Sequence, residues 1–251
     1  SLAAKLSIPG DTPLAILLGG KISIDGDKQA INLDQITAVI TGATALPFKV
    51  ETSGTVNIAR QVAELGINLS SGDTRGDGTL RYARFESPQI DTSLKLNMLN
   101  PALLALAGPE AAARPGGDTM SVSGDEPLPL DAIRAIDTRA ELAIDRAVFD
   151  GHALSDLRTR LRIVDGIVEV SSLTGILHGG KLDMQATFDG RHNTATLDTS
   201  GQLARLDIAA ALAAATAQPL LTGSASLDWT LAGKGRTRNE LVAALTGPVK
   251  L

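Results

Sequence analysis

The sequence predicts a mainly β protein built as a long antiparallel meander. Three observations carry that reading. Apolar side chains fall on every second position over many short stretches: Leu182, Met184, Ala186 and Phe188 alternate with Asp183, Gln185 and Thr187. The turn signals between stretches are explicit, at Asp25-Gly26-Asp27, Asp77-Gly78, Asp165-Gly166 and Asp189-Gly190, and Asp-Gly supplies the positive φ that tight hairpins need. No alternation of strand and long helix, the mark of a parallel sheet, runs through the chain.

In chain order, strands are expected at 3–8, 14–18, 21–24, 30–33, 36–40, 48–55, 66–70 and 79–85. Further strands are expected at 92–96, 141–144, 157–164, 167–170, 181–188, 195–203, 223–231 and 249–251, about sixteen in all. Gly19-Gly20 closes the apolar run 14–18, and Gly179-Gly180 opens 181–188. Leu157, Thr159, Leu161 and Ile163 fall on one side of their strand, Arg158, Arg160 and Arg162 on the other. Ala225, Leu227, Trp229 and Leu231 oppose Ser224, Ser226, Asp228 and Thr230 in the same way. Ala195 and Leu197 continue the pattern in the strand between.

Helices are few. Asn57 is read as the cap of a helix at 58–65 closed by Gly66, and Asn100-Pro101 opens 102–107, which Gly108-Pro109 stop. Asp207 caps 208–216, and Thr237-Arg238-Asn239-Glu240 is a capping box leading into 241–245. None is long enough to blanket a sheet of many strands.

Two stretches align as copies of one unit, with Leu99 matched to Leu206: Leu94 to Pro101 and Gly201 to Ile208 each carry a strand into an Ala/Leu-rich helix. A Pro-, Gly- and Ala-rich linker or loop at 109–127 separates them. The expected organisation is a first β repeat with short helices at 1–108, that linker, and a second β repeat at 128–251.

Composition narrows the functional classes. The chain has 251 residues, 43% of them hydrophobic, enough for a sizeable core. A net charge of −5 gives no basic footprint for nucleic acid. Cysteine is absent, which removes disulfides, thiolate zinc sites and a thiol nucleophile. Aromatic residues make up only 2%: one Trp, one Tyr and four Phe, few for filling the middle of a large sandwich. No apolar run approaches the roughly 20 residues of a membrane-spanning helix. Both ends of the sequence are strand-like, so a targeting or anchoring segment is expected outside it.

No catalytic constellation stands out, and no enzyme activity, cofactor or metal is expected. His152, His178 and His192 have no partners at metal-ligand spacing and read as strand-end or turn residues. Asp73 and Asp77 beside glycines read as a turn, because the repeating ligands of a calcium loop are missing. Neither a Gly-x-Ser-x-Gly elbow nor a phosphate-binding glycine loop occurs. The arginine row is a solvated face, or else one that meets phosphate headgroups.

What remains is a surplus of greasy strand faces over helices and rings to cover them. One outcome is a closed sandwich with no ligand, in which Trp229 is a core anchor. The other is a sheet curled like a gutter, whose medium-sized aliphatic side chains leave room for an acyl chain.

The second half supports the gutter through a resemblance. Leu128-Pro129-Leu130, Leu154-Ser155-Asp156-Leu157, Asp165-Gly166, His178-Gly179-Gly180, Gly223, Gly233-Lys234-Gly235 and the stretch Glu240 to Gly247 follow the pattern of the AsmA family's C-terminal region. His178 stands where that pattern has an aromatic residue, usually Tyr. The upstream half resembles the family's preceding repeat more loosely. The resemblance implies an elongated, twisted antiparallel sheet curled into a hydrophobic groove with a few short capping helices, similar to bridge-like lipid-transfer proteins. It further implies a periplasmic protein tethered to the inner membrane of a Gram-negative envelope by an N-terminal anchor outside this chain. Such a protein would bind phospholipid acyl chains and support phospholipid transport between the inner and outer membranes. The alternative function is a non-enzymatic scaffold or modulator of outer-membrane protein assembly with a closed β core, whose partners are envelope proteins. On the groove reading, Leu157, Leu161, Ile163, Leu182, Met184, Phe188, Leu197, Leu227, Trp229 and Leu231 line the lipid site.

Overall fold

A computed structural model describes residues 2–8, 14–27, 29–41, 47–85, 87–99, 127–149, 152–215 and 221–251. The chain divides into two compact units, Ser1–Thr119 and Met120–Leu251, with the boundary inside the 109–127 stretch. The expected helix at 102–107 and the bulk of that stretch lie outside the described residues.

The first unit is a meander of β1 (Leu2–Ile8), β2 (Leu14–Asp25), β3 (Ala30–Thr41), β4 (Phe48–Asn57), β5 (Val62–Ser71), β6 (Thr74–Ala83) and β7 (Gln89–Leu96). Each strand pairs antiparallel with the next. The second unit continues with helix α1 (Leu130–Arg134), then β8 (Asp137–Phe149), β9 (His152–Val164), β10 (Ile167–Leu177), β11 (Gly180–Asp189) and β12 (Ala195–Asp207). Helix α2 (Ile208–Ala215), β13 (Ser224–Gly235), α3 (Arg238–Ala243) and β14 (Val249–Lys250) complete it. Here too the strands pair in sequence order, antiparallel throughout. Within each unit the described strands make one curled but open layer. The closed sandwich is therefore not what either unit forms, and strand pairs without a facing sheet leave few side chains fully covered.

Hairpin chemistry accounts for the order. Asp165-Gly166, at φ +50° and +78°, and His178-Gly179, at +46° and +76°, are two-residue turns with both central residues left-handed. That is the turn whose twist matches antiparallel strands. Asp77-Gly78 makes no turn. It lies inside β6, and the turn is Gly72-Asp73, with Gly72 at φ +56°. Likewise Asn57 caps no helix. Its Oδ1 accepts the Arg60 N–H at 2.8 Å in a short turn, Gln61 takes φ +51°, and β5 follows, because Ala63, Leu65, Ile67 and Leu69 alternate with Glu64, Gly66 and Asn68.

Two pairs of expected strands prove to lie in continuous longer ones. Gly19-Gly20 sits inside β2, and β3 spans both 30–33 and 36–40. The break in β3 is a bulge: Leu33 pairs with Gly54 but Ile36 with Thr52, so one residue, Gln35 at φ +50°, is uncounted by the ladder. Asp156 in β9 and Arg205 in β12 mark two more bulges, at φ +51° and +59°. In each case the apolar residues on either side of the bulge keep the same face.

Candidate functional site

Antiparallel partners that stand directly opposite share a face of the sheet, so the register of the second unit decides where each predicted residue points. One row across the strands joins Ile163, Val168, Phe188 and Leu197. A second joins Leu161, Val170, Ala186, Thr199 and Leu231. A third runs Leu142, Thr159, Leu173, Met184, Gly201, Trp229 and Val249. A fourth joins Leu182, Leu203 and Leu227, with Leu157 beside Ile144. All ten predicted side chains thus lie on one face of one sheet. Sequence reading passed over Val168, Val170 and Leu173 of β10, because the extra residue Ser171 breaks their alternation.

The opposite face is polar. Arg160 pairs with Glu141 at 3.4 Å and Arg162 with Glu169 at 3.7 Å, so the arginine row is a solvated, cross-strand ion-pair lattice. A depression of about 480 Å³ on this side is lined by Glu169, Gln185, Thr187, Asp198, Ser200 and Thr230 among others. Of the ten predicted residues only Leu231 borders it, and its hydroxyls, amide and carboxylates do not suit an acyl chain.

Among the described residues, helices close the ends of the apolar face and leave its middle open. At one end α3 lands on Gly233 and Gly235. A Cβ on Gly233 would stand 2.9 Å from the Leu241 carbonyl oxygen, and one on Gly235 would collide with the Leu241 backbone nitrogen. Thr237 Oγ1 accepts the Glu240 N–H at 3.1 Å and the Glu240 carboxylate accepts the Arg236 N–H at 2.8 Å, so the capping box starts the helix on the spot. Leu241 is buried beneath it. At the same end α1 sets Leu130 over Gly190 next to the Phe188 ring, and Arg134 Nε donates to the Gly190 carbonyl at 2.8 Å. At the far end Asp207 Oδ1 accepts the Ala210 N–H at 3.1 Å and starts α2.

Between these caps the predicted side chains are half-buried, with β8 better covered through Ile144 and Ala147, each 1% exposed. Trp229 lies across Gly201, where a Cβ would come within 2.5 Å of the ring, and its Nε1–H points to Thr199 Oγ1 at 3.4 Å. The indole is thereby spread on the floor of the face. From Leu182 to Phe188 the open apolar surface extends about 20 Å along the strands, and the seven strands span about 29 Å across. The first unit carries its own apolar face, where Leu6, Ile22 and Ile24 are 54%, 44% and 77% exposed.

The histidines are placed as strand-end and turn residues, but two have a partner that spacing did not reveal. His152 Nδ1 and His178 Nε2 are 2.8 Å apart, with the rings edge to face. They are half-buried at the far end of the second unit. Among the described residues no cluster of three or more metal-ligating side chains occurs. No described helix is long and apolar enough to cross a membrane.

Comparison with curated proteins and with solved structures finds no match. The family model of the AsmA family matches residues 112–251, more than half of the chain and the whole of the second unit. The chain therefore belongs to the AsmA family, a membership that fits a lipid-transport or envelope-related role for its one-sided sheet.

Proposed function

We propose that this chain is a non-enzymatic lipid-binding protein of the periplasm. It holds phospholipid acyl chains on the open apolar face of its second unit, and it supports phospholipid transport between inner and outer membranes while tethered to the inner one. The observation that carries the proposal is the four-row aliphatic surface, capped by helices at its ends and, among the described residues, covered by no second layer in between. An acyl chain of about sixteen carbons gains roughly 0.8 kcal/mol per methylene moved out of water, on the order of 10 kcal/mol before ordering costs. That suffices to hold a tail. It remains comparable with what a bilayer offers, so loading and release are both accessible.

The single tryptophan is a built-in reporter, because Trp229 lies on that face, on β13 opposite Gly201. Phospholipid brominated along its acyl chain should quench Trp229 emission saturably, and lipid extracted from the purified protein should appear in its mass spectrum. Leu227→Asp should abolish the quenching. A wild-type protein that is lipid-free and indifferent to brominated lipid would overturn the proposal.

A further inference from the structure

We propose that His152 and His178 form a two-imidazole binding site for a divalent transition metal, copper(II) foremost, independent of the apolar face. The two rings come from different hairpins: His152 opens β9, and His178 is the first residue of the β10–β11 turn. Their facing nitrogens, Nδ1 and Nε2, are 2.8 Å apart. This contact is a hydrogen bond, and it holds the two imidazoles within reach of one ion. Imidazole suits zinc, copper, iron and nickel alike, and copper(II) heads the divalent affinity order.

The proton inventory is simple. In the metal-free pair one facing nitrogen donates and the other accepts, so one proton lies between the rings. Metal binding requires that this proton move to the outer nitrogen of the ring that held it. Both facing lone pairs then become ligands, and neither ring changes charge. The edge-to-face arrangement, with an interplanar angle of 74°, needs a rotation of the two rings for those lone pairs to converge. Both rings are half-buried, so solvent reaches the pair and water completes the shell. The turn is firmly seated from below, since the His178 carbonyl accepts the Asp207 N–H at 3.1 Å.

The test is a copper(II) titration of the whole chain free of any histidine tag, followed by calorimetry and electron paramagnetic resonance. At one equivalent the spectrum should show hyperfine splitting from two nitrogens. His152→Gln and His178→Asn should each weaken binding by at least about 10-fold, asparagine being chosen because it tolerates the left-handed backbone at 178. His192→Gln should leave the affinity unchanged. Thermal melts in metal-free buffer identify a variant that has lost its fold, and the nitrogen count in the wild type then decides. A one-nitrogen spectrum, undiminished binding by folded His178→Asn, or displacement of copper by an equal concentration of zinc would overturn the proposal.

Discussion

Asp189 shows how much one side chain can fix at the edge of the site. Its carboxylate accepts the Arg191 N–H at 3.0 Å and the guanidinium at 2.6–3.2 Å. These bonds hold its pKa at about 2 instead of 3.8. A depressed carboxylate pKa stabilises the fold above the ordinary value, and that contribution disappears as pH falls through the native one. Asp189→Asn should therefore melt below wild type at pH 7, with the gap closing between about pH 4 and pH 2. The pair is solvent-exposed, so the gap is small. In the sequence this residue read only as half of an Asp-Gly turn. The neighbouring Arg191 was the unread signal. Single residues that depend on a distant partner were illegible in the same way: nothing near His152 names His178, and nothing near Gly201 announces an indole lying over it.

At the scale of elements, period-2 alternation placed nearly every strand, because each pleat puts one side chain in four rows of neighbours and the other in water. Alternation failed where the ladder carries an extra residue. Gln35, Asp156 and Arg205 adopt left-handed φ without being glycine, so no residue type marked the bulges: β3 read as two strands, and β9 and β12 read short of theirs. At 58–65, where a helix was expected, the Asn57 side chain accepts the Arg60 N–H only in a short turn, and tertiary pairing of β5 with β4 and β6 took the chain into a sheet. The helix caps were more legible, since Thr237 and Glu240 act locally. The landing of α3 depends on close backbone approach. Gly235→Ala should lift the helix and lower stability by about 1–3 kcal/mol, measured as a shift in urea midpoint.

For the molecule as a whole, the deciding quantity is the apolar surface that the described residues do not cover. Among them only ten apolar side chains are buried, and five of those are alanine. A sequence reveals how much oily surface exists. Whether a second layer covers it depends on pairing order, and here a strict meander within each unit supplies none. The contrast between covered and open positions is testable. Leu203, 8% exposed, should not tolerate Asp, because an unpaired buried carboxylate is too costly. The protein should then fail to show a cooperative melt. Leu227 stands opposite Leu203 in the register but is only half-buried, so Leu227→Asp should keep a cooperative melt with a modestly lowered midpoint. Equal loss of folding in both variants would mean that the face is dry and closed.

The bulge in β3 gives the chain an uncommon tolerance to shortening. Loss of one residue from a strand ordinarily inverts every side chain beyond the cut. Gln35, however, is the residue the pairing skips, so its removal would leave Leu33, Asp34 and Ile36 in plain alternation. The chain lacking Gln35 should show the circular dichroism and cooperative melting of the intact protein, whereas removal of Val39 should abolish them. Length changes in relatives should accordingly gather at such supernumerary positions, where the sheet can shed a residue without turning inside out.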